Sequence, residues 1–394
     1  MPATEIYDTE PYCREITTRI INCQRSESGY LVSLANTILY PGGGGQAPDR
    51  GWINGIPVIE TVLNNNVVWY RIARPADNGI KLKLDWEFRY RNMQQHTGQH
   101  ILSAVLARKF KIQTVSVHLG KENTMIELDK NDLRESEIEQ GEDIANQVIR
   151  DNLPVQAVLV DRTDLNKYNV RRDVKVNTDP VRLIRIGDYD CTGCGGTHVA
   201  STGEVGLIKV VKKEKIRNHT RLAVKIGQPA YKHYADLNQR VQDLTRILSC
   251  GTNELPERVA NLIEESQLAR REIKELTTKW LTEYIRMFEP KISGGTFILT
   301  ELNMEELAIF SKLWVNQYRL PCFVATEHSG KKHFVFRVPT GVSSGADTFI
   351  RSVAQEFGLR GGGNEELVRG VIVYDSLTVS YQEHLEEKLR LFYS

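Results

Sequence analysis

The chain is short of several things that define whole classes of protein. Six cysteines in 394 residues are too few for a disulfide scaffold. No run of 18 apolar residues occurs, so no transmembrane helix is expected. The first residues, MPATEIYDTEPYC, have neither a basic stretch nor an apolar one and do not read as a secretory signal. There is no excess of charge of either sign: 51 Lys and Arg stand against 50 Asp and Glu. That balance excludes an overall basic coat for nucleic acid, but not a local basic patch. Internal repeats and low-complexity tracts are also absent. A cytoplasmic, multidomain protein of two to three domains with reduced thiols is expected.

What is present changes in period along the chain. Residues 1–85 carry short alternating or β-branched runs separated by Gly, Asn and Pro, the pattern of a small β-barrel, and hold the glycine-rich segment YPGGGGQAPDRG. Residues 86–228 read as α+β, opening with a helix for which Asp85 is the candidate N-cap. Residues 229–290 are helical and charged. Leu237, Val241, Leu244 and Leu248 form one heptad seam, Val259, Leu262, Ile273, Leu276 and Trp280 a second, and GTNELP breaks them into a hairpin or coiled coil. Residues 291–394 alternate strand and helix as an α/β domain with a second glycine run, RGGGN. The expected fold class is therefore α+β and multidomain.

Two short motifs carry the chemistry. In HTGQH, His96 and His100 stand at i and i+4, which places both imidazoles on one helix face about 6 Å apart. In CGGTH, Cys194 and His198 repeat that spacing beside two glycines. One thiol and three imidazoles are a donor set that favours Zn²⁺. Cys191 and Cys194 also form a CxxC pair, so Cys191 is an alternative ligand. The absence of a second CxxC excludes a four-cysteine ribbon, and HTGQH lacks the glutamate of a zinc protease. PGGGGQAP is not followed by Lys-Ser/Thr and is no phosphate loop. Four successive glycines nevertheless cost backbone entropy that a plain turn does not require, which suggests close approach of a ligand or of other backbone. Lys209, Lys212, Lys213, Lys215, Arg217 and Arg221 make one basic cluster, and Lys167, Arg171 and Arg172 another. Both flank the proposed metal segment and are candidates for a phosphate-backbone track.

HTGQH followed by CGGTH, with YPGGGGQAPDRG upstream, resembles the alanyl-tRNA editing family, free-standing relatives of the editing domain of alanyl-tRNA synthetase. The C-terminal third, through its RGGGN run, is similar to the DHH-associated domain that ends that synthetase, as in the long form of the editing proteins. The resemblance implies His96, His100, Cys194 and His198 as zinc ligands and Gly42, Gly43, Gly44 and Gly45 as the motif of amino-acid discrimination. It makes the strand VSVHLG a pocket strand, with Ser116 and His118 as catalytic-pocket candidates. Lys212, Lys213, Lys215, Arg217, Arg360, Gly361, Gly362 and Gly363 are the tRNA-binding candidates, and the hairpin or the C-terminal domain is a candidate dimer contact. The implied activity is hydrolysis of tRNA(Ala) mischarged with serine or glycine, sparing Ala-tRNA(Ala). No synthetase signature precedes the barrel, so activation of alanine is not expected. Two other classes remain open: a tRNA-binding module with structural zinc, and a metal-dependent phosphoesterase, disfavoured because the chain lacks a DHH triplet.

Overall fold

The structure, a computed structural model, describes residues 4–393 apart from 27, 65–66, 77–78, 175–178, 292–293, 301, 329, 343 and 374–376. It divides into two compact units, residues 1–244 and 245–394. No described helix is long and apolar enough to cross a membrane.

The first unit begins with strands β1 (Glu15–Ser26), β2 (Gly29–Leu34), β3 (Gly51–Ile53), β4 (Ile56–Pro57), β5 (Glu60–Asn64), β6 (Val67–Ile72) and β7 (Gly79–Leu84). They lie in the order β4-β3-β7-β1-β2-β6-β5. The long strand β1 changes partner half-way: Glu15 to Arg19 pair with β7, and Ile20 to Ser26 pair with β2. A bulge falls between Ile20 and Asn22, where such an irregularity bends and twists a strand. The two half-sheets thereby share one core, including Val32, Ile53, Tyr70 and Leu82. The two ends of that order, β4 and β5, are consecutive stretches of one segment: between them the Val58 N–H donates to the Gly51 carbonyl of β3 at 2.9 Å and the Ile59 N–H to the Arg71 carbonyl of β6 at 2.8 Å, so the sheet curls round on itself through residues 56–64, in keeping with the small barrel expected.

Helix α1 (Trp86–Phe110) follows directly. Asp85 caps it as expected, its Oδ1 accepting the Phe88 N–H at 3.2 Å. The helix has no polar face: from Gln95 to Ala107 every residue is buried. A helix enclosed on all sides is an internal element, and its buried polar residues must find partners there. Around it lie β8 (Thr114–Leu119), β9 (Thr124–Leu128), α2 (Glu135–Arg150), β10 (Val155–Val160), β11 (Val181–Ile186), β12 (Asp190–Gly193), β13 (Ile208–Ile216) and β14 (His219–Ile226). Two sheets result, β8-β9-β14-β13 and β10-β11-β12. Helix α3 (Gln228–Leu248) crosses the unit boundary, and α4 (Leu255–Ile285) opens the second unit. Seam residues Leu237 and Leu244 on α3 and Ile273, Leu276 and Trp280 on α4 are exposed, whereas Leu281 and Ile285 are buried in the second unit's core.

The second unit continues with β15 (Gly295–Ile298), α5 (Met304–Tyr318), β16 (Cys322–His328), β17 (Lys331–Arg337), α6 (Ala346–Phe357), β18 (Leu359–Gly363), β19 (Leu367–Ile372) and α7 (Val379–Tyr393). The sheet order is β15-β16-β17-β19-β18. Alternation in β16 sends Cys322 and Val324 to one core with α5, and Phe323 and Ala325 to another with α6 and α7. Helices therefore cover both faces. The glycines of the RGGGN run lie on the edge strand β18. A Cβ on Gly361 would sit 2.2 Å from the Arg369 carbonyl oxygen, so the bare backbone is needed by its own hairpin.

Candidate metal centre

Helix α1 holds His96 and His100 on one face, and the loop after β12 carries Cys194 and His198 to them. The ligand atoms of these four residues lie within 4.8 Å of one another. Cys194 Sγ is 3.3 Å from His96 Nε2 and 3.4 Å from His198 Nε2. Donors on a tetrahedral zinc, with bonds of about 2.0–2.3 Å, stand roughly 3.3–3.6 Å apart, so the two sulfur–nitrogen distances match the spacing that ion needs. The three imidazole rings enclose a common point, with centroid separations of 4.4 to 5.0 Å.

Protonation states agree with a metal site. Burial, reinforced by His96 and by Arg171, Arg172 and Arg182, holds His100 well below the ordinary imidazole range. Its Nδ1 is buried without a hydrogen-bond partner. Burial and the neighbouring His96 push His198 down to about 3. Burial would raise the Cys194 thiol, but His96 and His198 outweigh it and hold the thiol well below its usual value. Neutral imidazoles and a thiolate are the forms that bind metal.

Outer contacts orient the donors. Thr97 Oγ1 lies 3.1 Å from His198 Nδ1 and accepts the Val199 N–H at 3.2 Å. Arg182 donates from Nη1 to the carbonyls of Cys194 at 2.8 Å and Gly196 at 2.9 Å, pinning the cysteine loop. Gly196 is obligatory in this packing, since a Cβ there would come within 2.2 Å of His96 Cε1. Cys191 is not in the group; it is buried with Val160, Val181 and Leu183.

The glycine run forms a tight hairpin. Gly42, Gly43, Gly44 and Gly45 all have positive φ, from 57° to 136°, a region that side chains disfavour. Gly43 and Gln46 exchange both backbone bonds, at 3.0 and 2.9 Å. The Gly45 carbonyl accepts the Leu119 N–H at 2.9 Å, so the hairpin lies along the outer edge of β8. Gln46, missed in the sequence reading, reaches from this hairpin to His96 Nδ1 at 2.9 Å. The signal available was a single polar residue directly after four glycines.

The other candidates are less concentrated. Ser116 and His118 are exposed on β8, and Ser116 Oγ donates to Glu127 Oε2 at 2.7 Å. The basic cluster lies on β13, at the opposite edge of that four-stranded sheet. There Lys212 pairs with Glu214 and Lys213 with Glu135, while Lys215 and Arg217 are exposed at the hairpin end. Arg171 pairs with the buried Asp190 at 2.8 Å and lines a cleft of about 640 Å³ with Arg108, Lys111, Lys167 and Arg185. A second cleft, of about 790 Å³, reaches the metal centre at His198 past Asp8, Tyr12 and Arg182. In the second unit Arg360 and Gly361–Gly363 lie on β18.

Comparison with known proteins decides the kinship. The chain is 30% identical to the alanyl-tRNA editing protein AlaX-L of Pyrococcus horikoshii, over 97% of this chain and 99% of that one. The chain belongs to the alanyl-tRNA editing protein family. It is also 30% identical to the Xenopus laevis editing protein Aarsd1-A, over 73% of this chain and 74% of that one. The alanine–tRNA ligase of Sulfurisphaera tokodaii is 29% identical over 92% of this chain, which is 41% of the ligase. Residues 181–221 match the threonyl and alanyl tRNA synthetase second additional domain. That match contains Cys194 and His198 of this family member.

Proposed function

We propose that this protein is a trans-editing hydrolase that deacylates tRNA(Ala) carrying serine, with glycine as a second substrate, and spares Ala-tRNA(Ala). The observation that carries the reading is the convergence of His96, His100, Cys194 and His198 within 4.8 Å, beside a glycine hairpin, in a member of the editing family. A synthetase pocket sized for alanine rejects an added hydroxyl only weakly, by about 10²-fold, so a second site must remove the error. His96, His100, Cys194 and His198 would hold a zinc ion, which would supply an electrophilic anchor for a donor atom of the aminoacyl ester.

The chain's own groups supply the rest. The cleft at His198 is the proposed entry for the terminal aminoacyl-adenosine, and its Asp8 and Arg182 offer polar contacts at the rim. The glycine hairpin, without side chains, leaves room for a small amino acid, while β8 offers Ser116 and His118 as polar groups along the neighbouring strand. Lys212, Lys213, Lys215 and Arg217, with Arg360 and Gly361–Gly363 of the second unit, are proposed tRNA contacts. Residues 1–85 are the proposed barrel domain, 86–228 the editing domain, 229–290 the helical hairpin and 291–394 the C-terminal domain, with the helices or the last domain pairing two copies.

The test is release of labelled amino acid from Ser-tRNA(Ala), with Gly-tRNA(Ala) and Ala-tRNA(Ala) in parallel. Rapid loss of serine with alanine retained is expected. The completeness of the four-donor set favours one second reading, a tRNA-binding module with structural zinc. Zinc-loaded protein that binds tRNA and releases nothing from any of the three would replace the hydrolase with that module.

A further inference from the structure

Gln46 is a buried amide, 3% exposed, at the junction of the glycine hairpin and the metal centre. Its contacts allow only one orientation. The Thr197 backbone N–H can only donate, so the atom 3.1 Å from it is the carbonyl oxygen Oε1. Nε2 then donates to Thr197 Oγ1 at 2.9 Å. The same Oε1 lies 2.9 Å from His96 Nδ1, and an amide oxygen can only accept. His96 therefore carries a proton on Nδ1, which leaves its Nε2, 3.3 Å from Cys194 Sγ, as the atom facing the other donors.

We infer that Gln46 is a positioning residue of the metal centre: it fixes the tautomer and ring plane of His96 and ties that ligand to the glycine hairpin. The inference rests on the reading of His96, His100, Cys194 and His198 as a metal site. Two close approaches hold Gln46 in place. A Cβ on Gly196 would lie 2.8 Å from Gln46 Oε1, so the cysteine loop lies hard against the amide. A Cβ on Gly45 would lie 2.6 Å from the Val117 carbonyl oxygen, so the hairpin backbone lies directly against β8. Through Gln46 the glycine hairpin and the first ligand of the centre are joined by one side chain.

Partners of this kind raise the basicity of a ligating imidazole and fix its orientation, and their loss typically weakens metal binding about 10- to 100-fold. The test is titration of the full metal-free chain with Co²⁺, read by the thiolate charge-transfer band and the visible ligand-field bands, followed by Zn²⁺ competition. Q46M keeps the length of the side chain and removes the acceptor; Q46E keeps the acceptor and removes the donor to Thr197. Q46M is expected to weaken Co²⁺ and Zn²⁺ binding about 10- to 100-fold and to shift the ligand-field bands, with Q46E restoring affinity to within a few fold of wild type. Q46M binding as tightly as wild type, with an unchanged spectrum, overturns the inference alone. Equal loss in Q46M and Q46E also overturns it, because the residue would then serve only loop packing. A wild-type chain that binds neither ion overturns the metal reading itself.

Discussion

Arg89 on helix α1 and Asp49, forty positions earlier in the loop that leads into β3, form a fully buried ion pair, with Arg89 Nε donating to Asp49 Oδ2 at 2.8 Å. The same carboxylate oxygen accepts the Tyr40 N–H at 2.7 Å, and the Asp49 N–H donates to the Tyr40 carbonyl at 2.9 Å. Asp49 thus closes the base of the glycine hairpin, and Arg89 anchors that base to the helix bearing His96 and His100. Arg89 also donates to the carbonyls of Pro11 at 2.8 Å and Ile38 at 2.6 Å, so its charge is held by three groups.

Breaking this pair from one side leaves a charge buried without compensation, which costs about 3–5 kcal/mol. R89M is therefore expected to lower the stability of the first unit by that amount in urea unfolding. A loss below about 1 kcal/mol would show that water reaches Asp49.

The two glycines of the cysteine loop should behave differently. A Cβ on Gly195 meets nothing within 4 Å, whereas one on Gly196 would overlap His96. G196A is expected to abolish zinc retention after dialysis and to lose deacylation with it. G195A should keep both within a few fold. Equal behaviour of the two variants would contradict the packing described.

Removal of a ligand tests the centre directly. H100A is expected to lower both zinc content, measured by atomic emission, and the rate of serine release. Full activity in a metal-free H100A protein would remove the metal from the mechanism.

Acid stability should depend on Glu137. Hydrogen bonds from Arg134 and Lys130 hold its carboxyl down, from an ordinary 4.5 to about 2. A carboxylate depressed in the folded state contributes stability above its unfolded pKa, and that contribution is lost as pH falls through the folded value. The contribution is present above pH 4.5 and declines toward pH 2. E137Q should therefore be less stable than wild type at pH 6, with the melting curves converging on acidification. Parallel curves down to pH 2.5 would mean that Glu137 carries no such linkage.

Much of the centre was legible because it is local. His96 and His100, and again Cys194 and His198, are spaced by four positions, and Asp85 marks the helix start by capping chemistry alone. The GTNELP break between the two long helices was legible for the same reason. The unseen parts depend on contacts between distant segments. Arg89 reads in sequence as one more surface cation, and only the folded unit places it on Asp49. Gln46 reads as the end of a turn until Thr197 and His96 close around it. The basic strand likewise has partners that its own stretch of sequence does not show, since Lys213 and Lys209 are met by Glu135 and Glu142 of α2, more than sixty positions away.

All six cysteines are unpaired, so no covalent bridge shortens the unfolded chain. The donors at 96 and 100 are separated from those at 194 and 198 by more than ninety positions. An ion shared by both pairs closes that long loop as a cross-link would, and in the chain-entropy picture a closure of this length is worth about 4–5 kcal/mol. The centre would then be a fastener for the first unit as well as a site of chemistry, and a chelator would loosen the fold together with the function.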